Sequence, residues 1–176
     1  MSYDLTFFKV PAGTDATTAY QKLMQEEESK AVNLDAWLKQ LLPEATRTQM
    51  QRHADSITLR WPAFVQFQPT KVLPWIELTD DGLLIQVMIG EESESITITY
   101  FQEDQKEMID CLRGCFEVLQ LAEGYTAYDP QLGRVVGVND LDEIAKGYRG
   151  TDAVLPTMSG EKNQVVTAKK RWWKIW

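Results

Sequence analysis

The sequence predicts an α+β fold in which a small antiparallel β-sheet carries about four helices, packed mainly on one of its faces. Two kinds of pattern lead to this prediction. Several short segments alternate apolar and polar residues, as half-buried strands do, whereas others repeat apolar residues at spacings of three and four, as amphipathic helices do. The chain has 176 residues, the size of one ordinary domain. We expect residues 1–150 to form that domain and residues 151–176 an extended C-terminal segment with a basic, Trp-rich end.

Segments rich in aromatic and β-branched residues predict the strands, and each is bounded by turn residues. Asp80-Asp81-Gly82 and the acidic run after Gly90 supply two turns, so the three central strands form an antiparallel meander. Pro130 and Gly133 fit the turn of a closing hairpin. The order of the strands does not follow from the sequence. The predicted strands lie near residues 3–10, 75–79, 83–89 and 95–101 and in the 125–138 hairpin.

Apolar stripes at helical spacing, together with capping residues, predict the helices. Thr14 or Asp15 can cap the first helix, Pro43 and Pro62 bound the third, and Asp104 with Glu107 resembles a capping box at the start of the fourth. The predicted helices run over residues 16–30, 33–42, 43–61 and 104–124, with one more short helix over 140–146.

Composition and charge exclude several classes of function. A net charge of −8 disfavours sequence-independent DNA binding, which needs many cationic contacts to phosphate. One His and two Cys leave no His-rich zinc site and no iron–sulfur spacing, although a metal held by carboxylates stays open. We expect no cofactor. The chain opens without the pattern of a secretion signal and lacks an apolar stretch of membrane-helix length, so we expect a cytoplasmic protein without membrane contact.

Few residues form a pattern typical of catalysis. His53 lies one position from an apolar helix stripe and is interpreted as a boundary or core residue, so alanine there should leave any activity standing. Cys111 and Cys115 lie four apart on one helix; this is not the redox C-x-x-C spacing, and buried core thiols are the preferred interpretation. The closing hairpin offers a possible polar site that turn geometry also explains, formed by Tyr128, Asp129 and Arg134. We therefore predict a binding protein rather than an enzyme.

Acidic residues are concentrated in one stretch of the chain. Ten of them and a single base, Lys106, lie between Glu77 and Asp110, which gives this stretch a charge of −9. If the strands pair as expected, several acids cluster around one edge of the sheet and steer a basic partner toward it. Ordinary solubility charge is the alternative. The acidic candidates for partner binding are Asp80, Asp81, Glu91, Glu92, Glu94, Glu103 and Asp104.

The last eight residues, K-K-R-W-W-K-I-W, have a charge of +4 and include three tryptophans. This composition fits docking on the protein's own acidic surface, contact with a protein partner, or contact with lipid or nucleic acid. Eight residues are too few for a stable membrane helix. Trp172 and Trp173 are accordingly added to the candidates for partner binding. The sequence favours a monomer without fixing the oligomeric state.

Four segments together resemble a group of small bacterial cytoplasmic proteins: M-S-Y-D-L-T-F-F-K, I-E-L-T-D-D-G-L-L-I-Q-V, I-T-I-T-Y-F and Y-D-P-Q-L-G-R-V. Members of this group are often immunity proteins that neutralise cognate toxins of type VI or other contact-dependent systems. The resemblance covers residues 1–138 and implies a non-catalytic antidote whose acidic surface blocks the basic active-site cleft of a toxin, such as a nuclease. An enzyme that reverses a toxin modification and a housekeeping adaptor are the alternatives.

Overall fold

The computed structural model describes residues 2–32, 42–67, 73–99 and 105–145. Within these ranges, seven strands form one antiparallel sheet in the order β2-β3-β4-β5-β1-β6-β7. The predicted α+β class is confirmed, and so are the meander and the closing hairpin. The strands are β1 (Tyr3–Phe8), β2 (Val65–Gln66), β3 (Ile76–Asp80), β4 (Ile85–Ile89), β5 (Ser93–Ile98), β6 (Thr126–Asp129) and β7 (Arg134–Val136).

Three longer helices accompany the sheet in the described part of the chain: α1 (Ala16–Val32), α2 (Glu44–Arg60) and α3 (Gln105–Phe116). Asp15 caps α1 as predicted, because its side chain accepts a hydrogen bond from the Thr18 amide at 3.0 Å. The chain continues from α3 as a π-helix (Glu117–Ala122), and a 3₁₀ turn (Val138–Asp140) leads into a helical segment over 141–145. The helix predicted over 33–42 falls on residues of which all but Leu42 lie outside the described ranges.

The two faces of the sheet are covered by different helices. On the face that we call the first, α2, α3 and the π-helix enclose the main core, in which Phe7 meets Phe116 edge-on at 4.9 Å. On the second face, α1 packs over β1 and β6, and Tyr20 stacks on Tyr128 at 4.2 Å. The described helices therefore lie mainly on one face, as predicted, and α1 lies on the other.

A buried aspartate stabilises each of two hairpin turns, the one between β3 and β4 and the one between β6 and β7. Asp80 Oδ1 accepts hydrogen bonds from the amides two and three residues later, at 2.9 and 3.0 Å, and Asp129 Oδ1 does the same at 2.8 and 2.9 Å. Each carboxylate also accepts a hydrogen bond from an aromatic side chain, Trp61 for Asp80 and Tyr3 for Asp129. The structure thus confirms that Asp129 serves turn geometry, and Asp80 has the same role.

Candidate binding groove

The acidic residues of the meander lie in two separate places. Asp81 lies in the turn between β3 and β4, whereas Glu91 and Glu92 lie in the turn between β4 and β5. These turns are at opposite ends of the five-residue strand β4, about 17 Å apart at roughly 3.4 Å per residue. The expectation that these acids cluster around one edge of the sheet is wrong.

Two of the predicted contact residues are buried. Asp80 is 5% exposed and Glu94 is 1% exposed, so neither offers its carboxylate to a partner. The alternation of the strands explains this, because Glu94 shares the first face with Ile96 and Ile98. Their prediction as surface acids is therefore corrected. Four further candidates, Glu103, Asp104, Trp172 and Trp173, lie outside the described residues and stay predictions.

Glu91 and Glu92 border a groove on the second face of the sheet, with a cavity volume of about 430 Å³. The C-terminal half of α1 forms one wall, and the β4–β5 turn forms another. Apolar side chains line the interior, and acidic side chains line the rim. We call this the acidic groove. Its apolar residues are Met24, Leu42, Pro74, Trp75 and Met88, and its charged residues are Glu27, Glu28, Lys30, Glu91 and Glu92.

Two of the four rim carboxylates have partners within the groove. Lys30 Nζ donates to Glu92 Oε2 at 2.6 Å, and the Ser93 hydroxyl donates to Glu27 Oε1 at 2.6 Å. Glu28 and Glu91 are exposed and have no cationic partner among the residues that the structure describes. Among the residues that the structure describes, the rim of the groove is therefore net negative and its floor is apolar, which is the arrangement of a site for a cationic ligand with an apolar part.

The sequence analysis does not include Glu27 and Glu28 among the candidates for partner binding, although both line the groove. They belong to the groove only because α1 crosses the second face and brings its last turns to the β4–β5 turn. No local pattern encodes that placement. The hydrogen bond from Ser93 to Glu27 joins residues 66 positions apart in the chain.

A second polar arrangement lies inside the first face, away from the groove. His53 of α2 is 2% exposed, and its Nδ1 lies 2.5 Å from Oε1 of Glu94. Its Nε2 lies 3.3 Å from Oε2 of Glu123, outside hydrogen-bond geometry. Glu94 Oε2 has no hydrogen-bond partner in the described part of the chain. The interpretation of His53 as a core residue is confirmed, and it forms a buried ion pair that the sequence did not suggest.

The ion pair perturbs the titration of both residues. Burial lowers the pKa of His53, but the hydrogen bond and charge of Glu94, with the charge of Glu123, outweigh it and raise that pKa. Burial raises the pKa of the Glu94 carboxyl, although His53 opposes the rise. Neither residue lines the acidic groove. The pair is enclosed and holds α2 to β5, which is a structural role.

The remaining candidates have structural surroundings. Cys111 and Cys115 are free and buried, as predicted. The hydrogen bond with Cys115, together with burial, raises the pKa of the Cys111 thiol, so it stays protonated at neutral pH. Arg134 pairs with Asp140 and Glu143 at 3.1 and 2.7 Å.

Among the described residues, no group of three or more His, Cys, Asp or Glu side chains is placed to hold a metal ion. Within the same ranges, none of the helices combines the length and apolar character needed to cross a membrane. No protein family, curated protein or solved structure matches this chain.

Proposed function

We propose that this chain is a binding protein whose acidic groove receives a basic segment of a protein partner. We further propose that the partner is a cognate toxin, which the chain neutralises in the cytoplasm. The observation that carries the proposal is the acidic groove itself, in which four carboxylates surround an apolar floor that includes Trp75.

The groove combines two features that protein recognition uses. Its negative rim accelerates encounter with a basic surface, an effect that salt screens. Its floor offers Trp75, Met24 and Met88, and buried apolar or aromatic contacts of this kind supply most of the affinity in protein interfaces. Methionine also adapts its shape and contacts aromatic rings favourably. A segment that joins a cationic side chain to an apolar neighbour satisfies both features.

The shape of the groove differs from the binding surface that the resemblance implied. An acidic surface that blocks a toxin's cleft would project outward, whereas the groove is concave. We infer that a projecting basic segment of the toxin inserts into the groove and that the toxin is inhibited because this segment is held there. A nuclease fits this chemistry, because its phosphate-binding side chains are basic.

The buried ion pair favours binding over the alternative of catalysis. An enzyme that reverses a toxin modification would place a titratable group of shifted pKa in an open pocket. Among the residues that the structure describes, the carboxyl with a raised pKa is that of Glu94, which is 1% exposed and absent from the lining of the acidic groove.

The test begins with the genes that neighbour the one for this chain, from which a candidate toxin domain is chosen and purified. Purified chain and toxin domain should elute as one complex in size-exclusion chromatography, and co-expression should restore the growth of cells that produce the toxin. The double variant Glu28→Lys/Glu91→Lys should lose this protection. Its matched control, Asp81→Lys/Asp142→Lys, reverses two exposed acids that do not line the groove and should keep it.

Folding of both variants is checked by circular dichroism. Absence of a complex together with undiminished toxicity would overturn the toxin as partner. Equal protection by both double variants would overturn the acidic groove as the binding site.

A further inference from the structure

We propose that, before a partner binds, the acidic groove is occupied by the chain's own C-terminal segment, residues 169–176. This docking needs no toxin and so does not rest on the proposed function.

The C-terminal segment and the acidic groove are complementary in charge and in side-chain chemistry. The segment K-K-R-W-W-K-I-W brings four cationic and three indole side chains, which is the most basic stretch in a chain of net charge −8. The groove offers Glu28 and Glu91, which have no cationic partner among the described residues, above a floor with Trp75 and two methionines. Lysine and arginine suit the rim, and the tryptophans suit the floor.

The length of the chain permits the contact. The described structure ends at Ala145, and residues 146–168 connect it to the basic segment. This connection spans up to about 75 Å when extended, at roughly 3.3 Å per residue. A domain of this size has a radius of gyration of about 15 Å, so the segment can reach any part of the surface.

Tethering makes a weak interaction sufficient. A segment held on the same chain has an effective concentration on the order of 1 mM. An intrinsic dissociation constant of about 0.1 mM would then fill the groove in roughly nine molecules out of ten. A toxin that binds the same groove would have to displace the segment, so the segment would act as a competitor.

Zero-length cross-linking of the full chain tests this proposal. A carbodiimide joins carboxylates to lysines that are in direct contact, and peptide mass spectrometry identifies the pairs. We expect Lys169, Lys170 and Lys174 to be joined to Glu28 and Glu91 at least tenfold more often than to Asp81. Asp81 is the control because it is also exposed but lies at the other end of β4.

A second variant separates specific docking from general attraction between opposite charges. Trp172→Ser/Trp173→Ser keeps every charge of the segment and should lower the groove cross-links at least threefold. Similar yields at Asp81 and Glu91 would overturn the proposal, and so would cross-links found only between isotopically labelled and unlabelled copies. The cross-linking experiment contains no toxin. A failure to find the groove cross-links therefore does not contradict toxin binding, and a failure to bind toxin does not contradict docking of the C-terminal segment.

Discussion

Removing His53 should expose the cost of a carboxylate that is buried without a partner. Glu94 is 1% exposed, and His53 provides its hydrogen bond at 2.5 Å. In His53→Ala the carboxyl must stay buried as an unpaired charge or take up a proton. From an ordinary pKa of 4.5, protonation at pH 7 costs about 3.4 kcal/mol, at roughly 1.36 kcal/mol per pH unit. Loss of one partner from a buried pair typically costs about 3–5 kcal/mol, in agreement.

Urea unfolding followed by tryptophan fluorescence measures this cost. We expect His53→Ala to lose about 3–5 kcal/mol of unfolding free energy at pH 7, and the loss to shrink by roughly 2.7 kcal/mol at pH 5, where protonation is easier. The double variant His53→Leu/Glu94→Leu removes both charges and should be as stable as the parent chain or more so. A single variant within 1 kcal/mol of the parent at pH 7 would refute the buried pair.

Three further predictions follow from the buried polar groups. Because the folded-state pKa of His53 is raised above 6.5, its stabilisation is complete below that pH, and the unfolding free energy should fall as pH rises from 6.5 to 8; a flat profile would contradict this. Cys111 and Cys115 should resist iodoacetamide in the native chain and react in urea, and rapid native labelling would show that the thiols are accessible. Asp129→Ala should lower the unfolding free energy by about 2–4 kcal/mol, since it removes the carboxylate that accepts hydrogen bonds from two turn amides and the Tyr3 hydroxyl; a loss under 1 kcal/mol would count against that role.

The strands could be predicted because their signals are local. Ile85, Val87 and Ile89 alternate with more exposed residues, and the aspartates before each turn provide the acceptors that the turn amides need. Strand β2 has only two residues, Val65 and Gln66, too few to show any period. The π-helical continuation of α3 has the same apolar spacing as an α-helix, so the sequence does not separate the two.

The candidate site was harder to predict because it depends on contacts between distant segments. The position of β1 between β5 and β6 and the crossing of α1 over the second face have no local signature. The alternation along β5 does contain a usable signal. Glu94 lies two and four residues before Ile96 and Ile98, so its side chain is on the same face of the strand and is predicted to point into the core. In the same way, Asp80 lies two residues after Leu78 in β3 and shares its buried face, which predicts that Asp80 is not a surface acid.

The central claim is that the acidic groove binds a basic partner. The most direct test compares the dissociation constants of two single variants, Glu91→Lys and Asp81→Lys, for the candidate toxin domain. Both reverse one exposed acid in a turn of the meander, but only Glu91 lines the groove. We predict that Glu91→Lys weakens binding about tenfold at low salt, equivalent to roughly 1.4 kcal/mol, and less at high salt, while Asp81→Lys changes it less than twofold. Equal dissociation constants for the two variants at low salt would contradict the account.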